Sequence, residues 1–201
     1  MSTRVVALVL AGGQGRRMGG MDKPLLDLGG LAIIAHILAT LRLGHADIAI
    51  SANGNPARYA GFACPVINDG PFLGQGPLAG LLAGLDWAAT RGADTLLTVP
   101  GDTPFIPANL AAILAAPPAI ATSAGRAHFL VGLWPVTVRA ALRAFLAEPG
   151  RHRVGEFTRR IAARQVDFPA EPCDPFLNVN TADDLALARD ILARRILEHG
   201  A

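Results

Sequence analysis

Thr95-Leu96-Leu97-Thr98-Val99-Pro100-Gly101-Asp102-Thr103-Pro104 is the stretch on which the fold turns. Its first five residues are apolar or β-branched with no alternation of polar positions, so a strand here is buried on both faces. That is the mark of a parallel sheet wrapped by helices. The run stops at Pro100-Gly101, and the first ionisable side chain beyond it is Asp102.

Working outward from this strand, the pattern repeats. Val5 to Leu10 has the length and composition of a buried strand, and Asp47 to Ser51, Val66 to Asn68, Ala119 to Ser123 and Phe129 to Trp134 supply further short ones. Between them, apolar residues at helical spacing predict helices over Leu31–Leu43 (closed by Gly44), Leu78–Ala89, Ala108–Ala116 and Val136–Ala147. A last helix, Ala182 to His199, aligns Leu185, Ala188, Ile191, Leu192 and Ile196 on one core-facing stripe. Alternating strands and helices predict a Rossmann-like three-layer α/β sandwich with a mostly parallel sheet. At 201 residues and 51% hydrophobic content, the chain 1–201 is expected to form a single domain.

In open sheets of this kind ligands lie beyond the carboxyl ends of the strands. The places to inspect are therefore Gly12 to Lys23 after the first strand, Ser51 to Asn53, Asp69, Gly101-Asp102, and Asn178 to Thr181 after a late strand. The first is the densest. Gly12, Gly13, Gly15, Gly19 and Gly20 let backbone N–H groups approach a ligand, and Arg16, Arg17 and Lys23 add three positive charges within eight residues. Backbone amides with cations suit a polyphosphate. The loop is neither a Walker loop, since Lys23 lies between Asp22 and Pro24, nor a dinucleotide fingerprint, since Met18 occupies the third small position.

Asp102 admits two readings. Its carboxylate is placed to hold Mg²⁺ against triphosphate oxygens, and the Pro-Gly-Asp-Thr-Pro context equally favours an Asx-turn or a helix cap. Asn178 and Asn180 are two apart on an extended segment and leave the same face, while Thr181 and Asp184 have capping-box spacing. Gly76-Pro77-Leu78-Ala79-Gly80 reads as a loop entering a helix, with either a structural or a substrate role. Gly150-Arg151-His152-Arg153-Val154 is a basic run, most simply a solvated face.

Other classes are disfavoured. A net charge of +2 gives no support to nucleic-acid or membrane-surface binding. Cys64 and Cys173 are isolated, without zinc or disulfide spacing, which points to a reduced, cytoplasmic setting. Arg4 followed by an apolar run imitates a signal peptide, but the run is short and Leu8 and Val9 are not small; no apolar span reaches about 18 residues either.

Leu10-Ala11-Gly12-Gly13, Arg16-Arg17-Met18-Gly19, Asp22-Lys23, Gly76 to Gly80, Asp102-Thr103-Pro104 and Asn178-Val179-Asn180-Thr181 resemble, in order and separation, the motifs of the molybdopterin nucleotidyltransferases. The resemblance covers nearly the whole chain and is strongest to the molybdenum cofactor guanylyltransferases. It implies a nucleotidyltransferase-type fold and transfer of GMP from GTP to the terminal phosphate of molybdopterin, with release of pyrophosphate. It also implies Mg²⁺ on Asp102, with Arg16 and Lys23 beside it in catalysis. Guanine would be met by Leu10, Ala11, Gly12 and Gly13 with support from Ser51, Asn53 and Asp69, and the pterin side by Asn178, Asn180 and Arg153. Molybdenum-insertion and acceptor enzymes are implied as partners.

Two departures stand out. Ser51 closes the second strand where the family commonly has asparagine, with Asn53 two residues later; His128-Phe129 replaces the family's His-Pro or Gln-Pro. The alternatives are a molybdopterin cytidylyltransferase, a sugar-phosphate nucleotidyltransferase, and a non-catalytic nucleotide-binding adaptor. Gly12-Gly13 in place of Ala-Gly favours the guanylyl branch, and the joint presence of Lys23 and Asp102 speaks against the adaptor.

Overall fold

The computed structural model describes residues 3–12 and 22–199. Nine strands are described: β1 (Val5–Leu10), β2 (Asp27–Leu28), β3 (Leu31–Ala32), β4 (Ile48–Ser51), β5 (Val66–Ile67), β6 (Thr95–Pro100), β7 (Ala119–Ser123), β8 (Arg126–Pro135) and β9 (Arg164–Phe168). The helices are α1 (Ile33–Arg42), α2 (Pro77–Thr90), α3 (Leu110–Leu114), α4 (Arg139–Ala147), α5 (Val154–Arg160) and α6 (Ala182–His199). Seven strands form one sheet in the order β5-β4-β1-β6-β8-β7-β9, and β2 pairs with β3 in a separate hairpin.

Within the large sheet β8 alone runs antiparallel, against both β6 and β7; the other six share one direction. Leu8 is paired with Ala49 on one side and Thr98 on the other, so β1 is central and buried on both faces. Ala7 and Val9 enter one core with Leu97, Val99 and residues of α1, α3 and α6. Val6 and Leu8 enter the opposite core with Leu96, α2, α4 and Phe157 of α5. The three layers and the mostly parallel sheet expected from the sequence are present.

Thr98 of β6 shows how a buried strand tolerates a polar side chain. Thr98 is fully buried, yet its hydroxyl donates to the Leu130 carbonyl (2.8 Å) and accepts from the indole N–H of Trp134 (2.8 Å). A buried hydroxyl with both partners avoids the desolvation penalty of an orphaned one.

Several expectations need correction: the helix expected over Ala108–Ala116 is only α3, and the one expected from Val136 begins with a 3₁₀ turn before α4 starts at Arg139. The strand predicted at Phe129–Trp134 runs from Arg126 to Pro135 and makes a hairpin with β7. Its turn, Ala124-Gly125, has positive φ at both residues (47° and 73°), the backbone that suits a two-residue hairpin. The late strand is β9, not a segment adjoining Asn178; its polar Arg164, Gln165 and Asp167 concealed an edge strand half open to water. The helix expected from Leu31 starts at Ile33, because Leu31-Ala32 is held in the β2–β3 hairpin around Gly29-Gly30. On α6, Ala188 is buried and Leu185, Ile191 and Leu192 are partly buried, whereas Ile196 is 62% exposed.

Because β9 ends at Phe168, the chain from residue 169 to 181 returns across the carboxyl edge of the sheet before α6 begins. Bonds from its middle to β7 and to the end of β6 help to hold it there. The Ser123 hydroxyl donates to Asp174 (2.8 Å), the Phe176 amide donates to the same carboxylate oxygen (2.9 Å), and the Val179 amide donates to the Asp102 carbonyl (2.9 Å). No described helix is long and apolar enough to cross a membrane.

Candidate active site at the carboxyl edge

The edge has two sides. On one, β1 passes into the glycine-rich loop; Gly13 and Arg16, both expected to bind nucleotide, lie outside the described residues. The loop returns at Asp22, and Lys23–Leu25 forms a single 3₁₀ turn with Pro24 buried. Lys23 Nζ donates to Asn180 Oδ1 at 2.6 Å, which joins the first expected motif to the last across 157 positions of sequence. Thr103 Oγ donates to Asn178 Oδ1 at 2.7 Å. The Asn178–Asn180 pair is thus tied down at both members, between the Lys23 segment and the Asp102 turn.

Asp102 is half-buried at the end of β6. Burial pushes its carboxyl above the usual carboxylate range, with the Lys23 ammonium, its own backbone N–H and the Thr103 hydroxyl opposing. Its proximity to Lys23 depends on Gly101. A Cβ at Gly101 would lie 2.8 Å from Pro24 Cγ and 3.3 Å from the Leu10 carbonyl oxygen, so Pro24 packs directly on the glycine. The Gly101 amide also donates to that carbonyl at 2.9 Å. We therefore expect Gly101→Ala to push the Pro24-Lys23 segment away from Asp102. Overpacking of this kind costs roughly 1–3 kcal/mol, and a displacement approaching 1 Å can lower turnover on the order of 10²-fold. Thermal melting and steady-state rates of that variant measure the two effects separately.

The second side is a carboxylate clamp. Asn53 Nδ2 donates to Asp69 Oδ2 at 2.6 Å, and the Asp69 amide donates back to Asn53 Oδ1 at 3.1 Å. Asp69 is only 8% exposed, and burial raises its pKa while the Asn53 amide opposes the shift. Ser51 is buried at the end of β4, and its carbonyl accepts from the Ala11 amide at 2.8 Å. The Leu10 carbonyl in turn accepts from the Gly101 amide, so β1 is tied to the ends of both neighbouring strands at this edge.

Gly76 to Gly80 acts here through packing. Pro77 opens α2, and a Cβ on Gly80 would come within 2.7 Å of Ser51 Oγ and 3.4 Å of Asp69 Oδ1. The missing side chain is what lets α2 press on the clamp.

The expected Thr181–Asp184 capping box is formed. The Asp184 carboxylate accepts from the Asn180 and Thr181 amides at 2.9 and 2.8 Å, and the Asp184 amide donates to Thr181 Oγ at 3.1 Å. Burial works against the Asp184 anion, but these donors and Lys23 hold its pKa below the usual range. The box fixes Asn180 at the mouth of α6.

Arg153 stands apart from this cluster. It is the exposed residue before α5, in a groove with Phe72, Gly74, Gln75, Gly76 and Gly150. Thr103 and Asp22 stood in the motifs read from the sequence without a role; Thr103 is the partner of Asn178, and Asp22 bonds Arg58 and Tyr59, two residues the sequence did not single out. For Asp22 and Lys23 adjacency was the available signal. For Arg58 and Tyr59 there was none, because their partner is 36 or 37 positions away.

The sheet, with a lysine, a half-buried carboxylate and an anchored asparagine pair at its carboxyl edge, defines a Rossmann-like α/β protein of nucleotidyltransferase type. The family model for the MobA-like NTP transferase domain matches residues 7–166. The molybdenum cofactor guanylyltransferase of Acidiphilium cryptum is 52% identical over 182 residues, 90% of this chain and 92% of that protein. That of Cereibacter sphaeroides is 47% identical over 195 residues, 95% and 98% of the two chains. Among solved structures, molybdopterin-guanine dinucleotide biosynthesis protein A from Archaeoglobus fulgidus superposes with a TM-score of 0.70 at 21% identity, covering 94% of this chain and 99% of that one. The chain belongs to the molybdenum cofactor guanylyltransferase family of MobA-like nucleotidyltransferases.

Proposed function

We propose that the protein transfers GMP from GTP to the terminal phosphate of molybdopterin and releases pyrophosphate. The observation that carries this reading is the Lys23–Asn180 bond beside Asp102, since it assembles a cation, a carboxylate and amide groups from both ends of the chain at one sheet edge. Both reactants are anionic, so rate acceleration comes from alignment and charge neutralisation rather than from a covalent intermediate.

The roles divide by position. Lys23, with Arg16 and the amides of Gly12 and Gly13, binds the triphosphate. Asn178 and Asn180 orient the incoming phosphate, and Arg153 meets the distal part of the pterin substrate. Asp102 fits a Mg²⁺ ligand: it is a half-buried carboxylate at the carboxyl end of β6, flanked by Lys23 and the anchored Asn178–Asn180 pair. Mg²⁺ commonly binds through one or two carboxylates together with substrate phosphates. When bound, it supplies charge neutralisation at the α-phosphate and leaving pyrophosphate.

Guanine is recognised by acceptors. The Asp69 carboxylate, held by Asn53 near Ser51, accepts from N1–H and the 2-amino group, with Leu10 and Ala11 on the opposite side of the base. Cytosine lacks that donor pair, and leaving a buried acceptor unmatched costs roughly 1–3 kcal/mol. GTP is therefore expected to be turned over about ten- to a hundredfold more efficiently than CTP. Incubating the pure protein with Mg²⁺, molybdopterin and each nucleoside triphosphate in turn, and identifying the dinucleotide formed, tests both claims. Equal use of CTP would overturn the guanylyl assignment, and no transfer with any nucleotide would overturn the function.

A further inference from the structure

Next to Lys23 lies a group of side chains with no part in the chemistry just described. Asp22 is the residue before the Lys23–Leu25 turn, a position where an aspartate side chain ordinarily caps the backbone; here it makes no cap bond. Its carboxylate is instead taken up from the far side. Tyr59 OH donates to it at 3.1 Å, and Arg58 Nη1 forms an ion pair with it. The other Arg58 donors reach the chain after β4, Nη2 to the Asn53 carbonyl at 2.7 Å and Nε to the Asn55 carbonyl at 3.1 Å. One guanidinium thus joins the residue that clamps Asp69 to the residue preceding Lys23.

Tyr59 is fully buried, and burial together with the Asp22 charge raises its hydroxyl pKa, so it stays a donor. Asn55 accepts from the Ala57 amide at 3.0 Å and starts the 3₁₀ segment Pro56–Phe62 that carries Arg58 and Tyr59. The latch is built on an ordered element.

Asp22 brings a negative charge into a loop that, on the reading above, must receive a triphosphate. Left free, that carboxylate would repel the phosphates or pair with the neighbouring ammonium. We propose that Arg58 and Tyr59 are positioning residues that draw the Asp22 carboxylate away from the phosphate path, so that the Lys23 ammonium, held by Asn180, meets the nucleotide rather than its neighbouring carboxylate. The proposal rests on the nucleotide-binding reading of this edge.

A double-mutant cycle isolates the effect. The dissociation constants of GTP and of inorganic tripolyphosphate are measured in Mg²⁺, without acceptor, for the parent, Arg58→Ala, Tyr59→Phe, Asp22→Asn and Asp22→Asn/Arg58→Ala. Losing a charge-assisted contact typically corresponds to about tenfold or more. Arg58→Ala should therefore weaken both ligands about tenfold, and Tyr59→Phe, which removes only one donor, about two- to threefold. With Asp22→Asn already present, Arg58→Ala should add less than about twofold, since no charge remains to be diverted. Equal penalties in both backgrounds would make Arg58 a loop support and overturn the proposal. A loss confined to GTP would place the effect on the base side and overturn it too. If the parent binds both ligands and Arg58→Ala binds them as tightly, the latch alone is wrong; a parent that binds neither removes the nucleotide reading and the latch with it.

Discussion

Asp102→Asn is expected to leave a folded protein whose guanylyl transfer at saturating Mg²⁺ falls on the order of 10²–10³-fold, the usual effect of deleting one electrostatic stabiliser of a transition state. Asparagine keeps the shape and the acceptor oxygen that a turn needs, and the Val179 amide bonds the backbone carbonyl of Asp102 rather than its side chain. Stability should not suffer. The folded pKa of Asp102 is raised by burial, so the ionised form is less favourable in the folded chain than in the unfolded one. The resulting destabilisation is absent below the unfolded pKa and fully present above the folded one. At neutral pH the asparagine variant should therefore melt at or slightly above the parent. Transfer by the parent should fail on acidification, because proton and metal compete for one carboxylate. Rates within a few-fold of the parent would leave Asp102 a turn residue and move the metal to Asp69.

The residues that set the fold were legible where burial left a local pattern. Thr95 to Val99 is continuous in apolar and β-branched character because β6 has cores on both faces, and its carboxyl end located Asp102 before any geometry was known. Legibility failed where pairing was decided by a distant strand or by a turn. β9 carries Arg164, Gln165 and Asp167 because it is an edge, and its pairing with β7 spans more than forty positions. The strand at β8 was foreseen at Phe129–Trp134, but its antiparallel direction was hidden because the only local sign of it is the Ala124-Gly125 turn.

At the candidate site the same division holds. Motif residues announced themselves by type: Lys23, Asp69, Asp102 and Asn180 are polar residues at the ends of apolar runs, where water or a ligand must satisfy them. What the sequence could not show is which of them touch. Asn53 was expected beside Ser51 as a base contact in place of the family's asparagine; its side chain holds the Asp69 carboxylate and backbone at once. Gly80 and Gly101 matter through the side chains they lack, and only the proximity of Ser51 and Pro24 reveals it.

Lys23→Ala is the other variant from which a large loss is expected, and its interest lies in separating ligand binding from packing. The ammonium has a structural partner, Asn180 Oδ1 at 2.6 Å, so its removal leaves one amide oxygen without its donor. Asn180 is only partly buried, so water can take the place of the lost donor and the stability change should remain below about 1 kcal/mol. For a chain of this length that is a shift of no more than roughly 2–4 °C in melting temperature. The ligand effect is larger. A lysine that meets phosphate in a partly desolvated pocket makes a charge-assisted bond, and its loss should raise the GTP dissociation constant about ten- to a hundredfold. The transfer step should suffer beyond this, because negative charge moves toward the β,γ-phosphates as pyrophosphate departs, so kcat/KM is expected to drop on the order of 10³-fold. Calorimetric GTP binding, melting curves and single-turnover transfer on one preparation distinguish the outcomes. A collapse of melting temperature with GTP affinity retained would make Lys23 a brace for Asn180, and the triphosphate would then have to be held by the loop amides and Arg16.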